Sequence, residues 1–264
     1  MRAACRADSM NITEISRFII DKISVTPRSA VILGSGLGNF TDSLTDKVVM
    51  PYKEIPGYPL SSVTGHAGEW VFGFAGKKPV ICAKGRFHCY EGFTEEEAAL
   101  PVKIIHEINC NSVLITNAAG CLNLDWQLGD LMLITGFIDY TFTKDNSNPK
   151  VQSIPLFTEL ENNKEKARQQ ELELREGNYV WTLGPSYETP AEIQDIISLG
   201  GHAVGMSTVP EMRKAIELGM QVRGISCLTN YGAGMQDKAL SHAEVLETTS
   251  RVNQKFTRLL AEII

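Results

Sequence analysis

This chain of 264 residues has no C-x-x-C pair, no apolar run of bilayer length, no surplus of basic residues, no internal repeat and no linker-like segment. Each absence excludes something. The six cysteines, Cys5, Cys82, Cys89, Cys110, Cys121 and Cys227, fall in separate segments. That removes a zinc knuckle or redox dithiol and leaves reduced, mostly buried thiols of a cytoplasmic protein as the expectation. A formal charge of −6 argues against nucleic acid or an anionic membrane as partner, because a basic surface would have to be assembled against the net field. Any anion bound here needs a local site. The opening "MRAACRADSMNITEI" lacks the apolar core of a secretory signal, and residues 1–9 read as an extension without function.

With 43% hydrophobic residues the chain can bury a full core as one domain over 1–264. Ile12, Ile15, Ile19 and Ile23 form a helical stripe. "SAVILGSGLG" reads as a strand ending in glycines, and "EWVFGFAGKKPVICAK" as a hairpin around a Gly-Lys turn. Thr94 with Glu97, Thr189 with Glu192, and Ser241 with Glu244 have capping-box spacing, Pro101 kinks or restarts a helix, and Gly200 and Gly219 stand where helices stop. Strands "SVLITNAAG", "DLMLIT", "YVWTL", "HAVGM" and "QVRGISCLTN" alternate with helices "TPAEIQDIISLGG", "TVPEMRKAIELG" and "SHAEVLETTSRVNQKFTRLLAEII". A charged helix, "ELENNKEKARQQELEL", fills the middle. The pattern predicts an α/β fold, a single-domain three-layer α/β/α sandwich with a mixed, largely parallel central sheet.

In such a sheet ligands bind beyond the carboxyl ends of the strands. The residues just past the predicted strands are Ser35, then Arg86, His88 and Tyr90, then Asn117, Glu188, Ser207 and Asn230. Small hydroxyls beside glycine, an arginine and a histidine suit a phosphate. A carboxylate, an amide and an aromatic (Glu188, Asn230, Tyr187) suit the edge and face of a flat heterocycle. In an extended segment "GRFHCY" the alternation aims Arg86, His88 and Tyr90 the same way. "GSGLG" fits neither a dinucleotide fingerprint, since Asn39 replaces the last glycine, nor a P-loop nor a nucleophile elbow. Glu188 has a plainer reading as a cap for the following helix, and His106 and His202 fall in a helix and at a strand edge, outside the set.

In this order "GSGLG", "GHAG", "GRFHCYEG", "TNAAG", "GPSYETPAEI", "VGMSTVPE", "TN" and "LSHAEVL" resemble the trimeric purine nucleoside phosphorylases. The resemblance runs from about Ile32 to Val245 and is interrupted between Gly136 and Arg175. It implies reversible phosphorolysis of inosine- or guanosine-type nucleosides to free purine and (deoxy)ribose 1-phosphate, in a homotrimer, with phosphate as co-substrate and no metal or organic cofactor. It further implies that Ser35, His66, Arg86, His88, Ala118 and Ser207 hold phosphate, and that Tyr90, Met206 and His242 surround the ribose. Tyr187, Glu188, Val204, Thr229 and Asn230 would line the base pocket, with His88, Glu188, Asn230 and His242 closest to the chemistry. The interrupted segment supplies, in the family, an aromatic lent across the subunit contact; neither Phe142 nor Phe157 matches it by motif. Methylthioadenosine or xanthosine phosphorolysis, a nucleotide-dependent oxidoreductase using Glu54, and a non-catalytic nucleoside-binding protein are the alternatives.

Overall fold

The computed structural model describes residues 11–61, 67–143, 149–154, 160–169, 174–236 and 242–264. The chain opens with α1 (Ile12–Ile20), where the Asn11 side chain accepts the Glu14 N–H and Ile15 and Ile19 are buried. Strands β1 (Ser29–Leu33), β2 (Thr45–Pro51), β3 (Glu69–Ala75) and β4 (Lys78–Lys84) follow, then α2 (Glu95–Ala98) and α3 (Leu100–Glu107). Thr94 and Glu97 form the expected capping box of α2, and the helix restarts at Leu100 with Pro101 in its first turn. Next come β5 (Ser112–Cys121), β6 (Leu131–Asp139), the short β7 (Gln152–Ser153), α4 (Leu160–Gln169) and β8 (Leu174–Trp181). The chain ends with α5 (Pro190–Ser198), β9 (Ala203–Gly205), α6 (Val209–Glu217), β10 (Gln221–Tyr231) and α7 (His242–Ile263).

Alternation in β1 divides the core. Ala30 and Ile32 pack with Ile81, Ala83, Val113 and Ile115 beneath α1, α3 and α6, whereas Val31 and Leu33 join Val80, Cys82 and Leu114 beneath α7 and the 3-10 turn Gly38–Ser43. Both faces are therefore covered, which makes three layers. A smaller core sets Ile193 and Ile196 of α5 against Ile138 and Val180.

All ten strands among the described residues belong to one sheet, but it is not a simple parallel array. β1 lies between β4 and β5, parallel to both, and β5 pairs with β10 in parallel along its whole length. β10 meets β6 antiparallel, β6 runs parallel to β8, and β8 parallel to β9. β9 then returns to β5 antiparallel at Gly120 and Cys121. Strands β5, β10, β6, β8 and β9 thus close into a ring, from which β1, β4, β3 and β2 extend as an open wing.

This corrects the expected reason for convergence. Ser35 and Arg86 follow strands and Asn230 nearly ends one, all of one direction, whereas Asn117 lies in the middle of β5 and not at its end, and β8 and β9 run the other way. Glu188 and Ser207 reach the same place because β9 touches β5 only at its carboxyl end and then heads back along it. Two boundaries also differ: β8 starts at Leu174, well before "YVWTL", and β9 is shorter than "HAVGM". Strand β2 pairs with β3 yet carries too many exposed polar residues to announce itself.

Candidate active site

A cleft at the carboxyl ends of β1, β4, β5 and β10 collects Ser35, Arg86, His88, Tyr90, Ala118, Tyr187, Glu188, Val204, Met206, Ser207, Thr229 and Asn230. His242 is the first residue of α7, and Val245 one turn on lines the cleft; the His242 side chain lies outside the described residues, as does His66. Ser241, half of one expected capping box, and Phe157 lie outside them too. The other two capping boxes and the positive φ of Gly200 and Gly219 are present.

Arg86 anchors the first group. The residue is 1% exposed, and its guanidinium donates from Nη1 to Ser207 Oγ (3.0 Å) and Thr208 Oγ1 (3.4 Å) and lies 3.1 Å from Glu211 Oε2 through Nη2. The Glu211 contact is a close, buried ion pair. Burial raises the proton affinity of Glu211 against the opposing pull of Arg86. Thr208 ties this group to β5, accepting from Asn117 Nδ2 at 3.0 Å. Its φ of 78° is rare for a β-branched residue, a strain of about 1–3 kcal/mol that surrounding contacts hold in place. Gly34 permits the Ser35 loop to cross β5 closely, because a Cβ there would stand 2.7 Å from Asn117 Cα.

His88 keeps extended dihedrals, φ −118° and ψ 144°, but Tyr90 is not aimed by strand alternation. The chain leaves β4 and tightens into a 3-10 turn, Cys89–Glu91, with His88 as its cap. Glu91 Oε1 accepts the His88 N–H at 3.1 Å and stands 3.1 Å from Nδ1. A carboxylate only accepts, so this contact suits the tautomer with its hydrogen on Nδ1. Burial lowers the His88 pKa, Arg86 adds to that, and Glu91 opposes it. The ring stacks on Tyr90 at 4.8 Å, and burial pushes the Tyr90 phenol up to about 12, so it stays a donor.

The second group forms where the β5–β10 register shifts between Leu228 and Asn230. In a regular strand Thr229 and Asn230 would face opposite sides; the bulge lets both line the cleft. Thr229 Oγ1 donates to Asn230 Oδ1 (3.0 Å), and Asn230 Nδ2 donates to Tyr231 O (3.1 Å). Glu188 accepts from Thr182 Oγ1. It does not cap α5, whose cap is Thr189. Tyr187 beside it is 42% exposed. Gly184, at φ 74°, lets this loop approach the wall between the groups: a Cβ would meet Met206 Sδ at 2.4 Å and Tyr90 Cδ1 at 3.0 Å.

Thr182, Thr208 and Glu211 went unread as site residues. The sequence signal for Glu211 is slight, one acidic residue in the first turn of a helix, where carboxylates are common. Phe142 is 54% exposed and packs edge-on against Tyr140, outside the cleft. Glu54 sits in a separate 3-10 turn and does not line the cleft. His202 stacks on Trp126 and accepts the Asn178 N–H, also apart from it.

The cleft thus sets a buried arginine and serine hydroxyls beside a carboxylate, an amide and an aromatic, at the carboxyl ends of the strands of the mixed sheet. A family model described as "Phosphorylase superfamily" matches residues 28–264. The chain is 39% identical over 263 residues to purine nucleoside phosphorylase 1 of Geobacillus stearothermophilus, covering 96% of each. It is 38% identical over 259 residues to the purine nucleoside phosphorylase of Rattus norvegicus, covering 90% of this chain and 89% of that one. A crystal structure of a Schistosoma purine nucleoside phosphorylase with hypoxanthine matches at TM-score 0.82 and 30% identity, over 96% of this chain and 95% of that one. One of the Schistosoma mansoni enzyme with inosine matches at the same TM-score, 0.82. The chain belongs to the phosphorylase superfamily and, within it, to the purine nucleoside phosphorylases, a family of pentosyltransferases.

Proposed function

We propose that this cleft phosphorolyses 6-oxopurine nucleosides, with orthophosphate held by Arg86, Ser207, Ser35, His88 and the Ala118 N–H, and the purine held by Asn230, Glu188, Thr229, Val204 and Tyr187. The observation that carries this reading is the single cleft joining a buried cation-and-hydroxyl group to an amide-and-carboxylate group across Tyr90 and Met206. Ribose would sit against Tyr90 and Met206, with His242 and His66 completing its surroundings and those of phosphate.

The chemistry follows from charge. As the C1′–N9 bond lengthens, its electron pair leaves with the purine and the sugar becomes cation-like, as in glycoside cleavage. A phosphate oxygen faces that cation and forms the new bond to C1′, giving ribose 1-phosphate. Asn230 donates to O6 and accepts from a protonated N7, while Glu188 accepts N1–H, so charge developing on the base meets preorganised partners. Phosphate serves as co-substrate, without metal or organic cofactor. A homotrimer and a cytoplasmic location complete the proposal. Among the described residues no helix is long and apolar enough to cross a membrane.

The test is incubation with inosine, with and without phosphate, while following hypoxanthine. Release that requires phosphate is expected; release without it would mean hydrolysis, and no release of any purine would leave a binding protein.

A further inference from the structure

We propose that Thr182 is a positioning residue for Glu188 and so a determinant of 6-oxopurine over 6-aminopurine preference. The inference rests on the base pocket just proposed, because it assigns Glu188 to purine N1. Thr182 itself does not line the cleft.

Thr182 is 7% exposed and follows β8 directly. Its N–H donates to Gly205 O at 2.9 Å, which fixes its backbone to the end of β9. A β-branched side chain on a fixed backbone has few rotamers, so the hydroxyl is held in direction. That hydroxyl has one proton and two acceptors in reach, Glu188 Oε1 at 2.7 Å and Gly205 O at 3.4 Å. The shorter contact, to a carboxylate oxygen, takes the proton in a charge-assisted bond.

Among the described residues, Glu188, in the loop before α5, has its side-chain hydrogen bond from Thr182 and takes no part in the helix cap. The capping box of α5 is satisfied between Thr189 and Glu192. A glutamate with three rotatable bonds loses side-chain entropy when a ligand must order it. Thr182 imposes that order before binding. With Oε1 already accepting, Glu188 presents acceptor character to the cleft, which matches the N1–H of a 6-oxopurine. N1 of a 6-aminopurine carries no hydrogen, so two acceptors would face each other, and the mismatch selects against it.

The test is Thr182→Val, which keeps the shape and removes the hydroxyl. The expected result is a fall of about tenfold in kcat/KM for inosine, with the adenosine value unchanged or raised and the phosphate KM within about twofold. Thr182→Ser restores the inosine value, and Thr182→Val adds nothing in a Glu188→Ala background. If Glu188→Ala lowers inosine kcat/KM while Thr182→Val leaves the inosine-to-adenosine ratio unchanged, or if Thr182→Val still lowers it in the Glu188→Ala background, Thr182 does not act through Glu188. If Glu188→Ala itself leaves inosine turnover intact, the base-pocket reading falls instead.

Discussion

Arg86 and Glu211 hold opposite charges almost wholly out of water, 2% exposed in each side chain. Removing one partner strands the other, so Glu211→Ala is expected to cost about 3–5 kcal/mol, whereas an apolar pair of similar volume, Arg86→Met with Glu211→Leu, costs less than either single change. Urea midpoints of Glu211→Ala, Arg86→Met, Glu211→Leu and the double variant check this. Function separates from stability at the same arginine: Arg86→Ala raises the phosphate KM far more than the inosine KM, and an equal rise in both removes it from the anion subsite. At Asn230, Asn230→Asp shifts preference toward 6-aminopurines, read as the ratio of kcat/KM for inosine and adenosine. His88 adds a pH dependence. Its folded pKa is lowered, chiefly by burial, so once the pH drops below the ordinary imidazole value of about 6.5 the unfolded chain binds a proton that the folded one refuses. Wild type therefore loses stability relative to His88→Gln as the pH falls from 6.5, measured by denaturant melts at several pH values. At this scale the sequence was informative about residue types: Arg86, Ser207, Glu188 and Asn230 could be grouped as polar groups at strand ends. Thr182 and Glu211 could not, because a threonine closing a strand and a glutamate opening a helix look like ordinary local choices.

Elements aim these side chains, and here local pattern and outcome part company. "GRFHCY" has the alternation of an extended segment, yet Tyr90 is presented by a 3-10 turn closed through His88 and Glu91. Thr229 and Asn230 are adjacent and still share a cleft because the β5–β10 register slips by a residue. Neither device leaves a periodic trace, since each depends on a partner distant in sequence or on one side chain bonding back to the backbone. Capping boxes and C-terminal glycines were legible because their signals lie within four residues. The Ser35 loop shows how tightly these elements are set. Gly34→Ala places a Cβ against the backbone of Thr116 and Asn117. The expected cost is about 1–3 kcal/mol by urea denaturation, with a raised phosphate KM as Ser35 is displaced.

Across the whole molecule, the α/β class and the two-sided burial of β1 followed from apolar alternation and from strands interleaved with helices. Ring closure did not, because it turns on a three-residue strand, β9, meeting β5 at two positions. Helix α7 ties the open wing to the rest. Val245 near its start lines the cleft, and its last carbonyls accept from Arg223, Lys78 and Lys166. Cations suit that end of a helix.

Strand β5 touches three neighbours, and its residues Val113 to Ile115 pair with β1 on one side and β10 on the other, so their amides are clamped from both sides. In deuterated buffer they should exchange last, and only through global opening, while the amides of Cys89–Glu91 exchange by local fraying. The strand that carries Asn117 to Gly120 up to the cleft would then keep its place through every motion short of unfolding, and loading or emptying the pocket would fall to the loops above it.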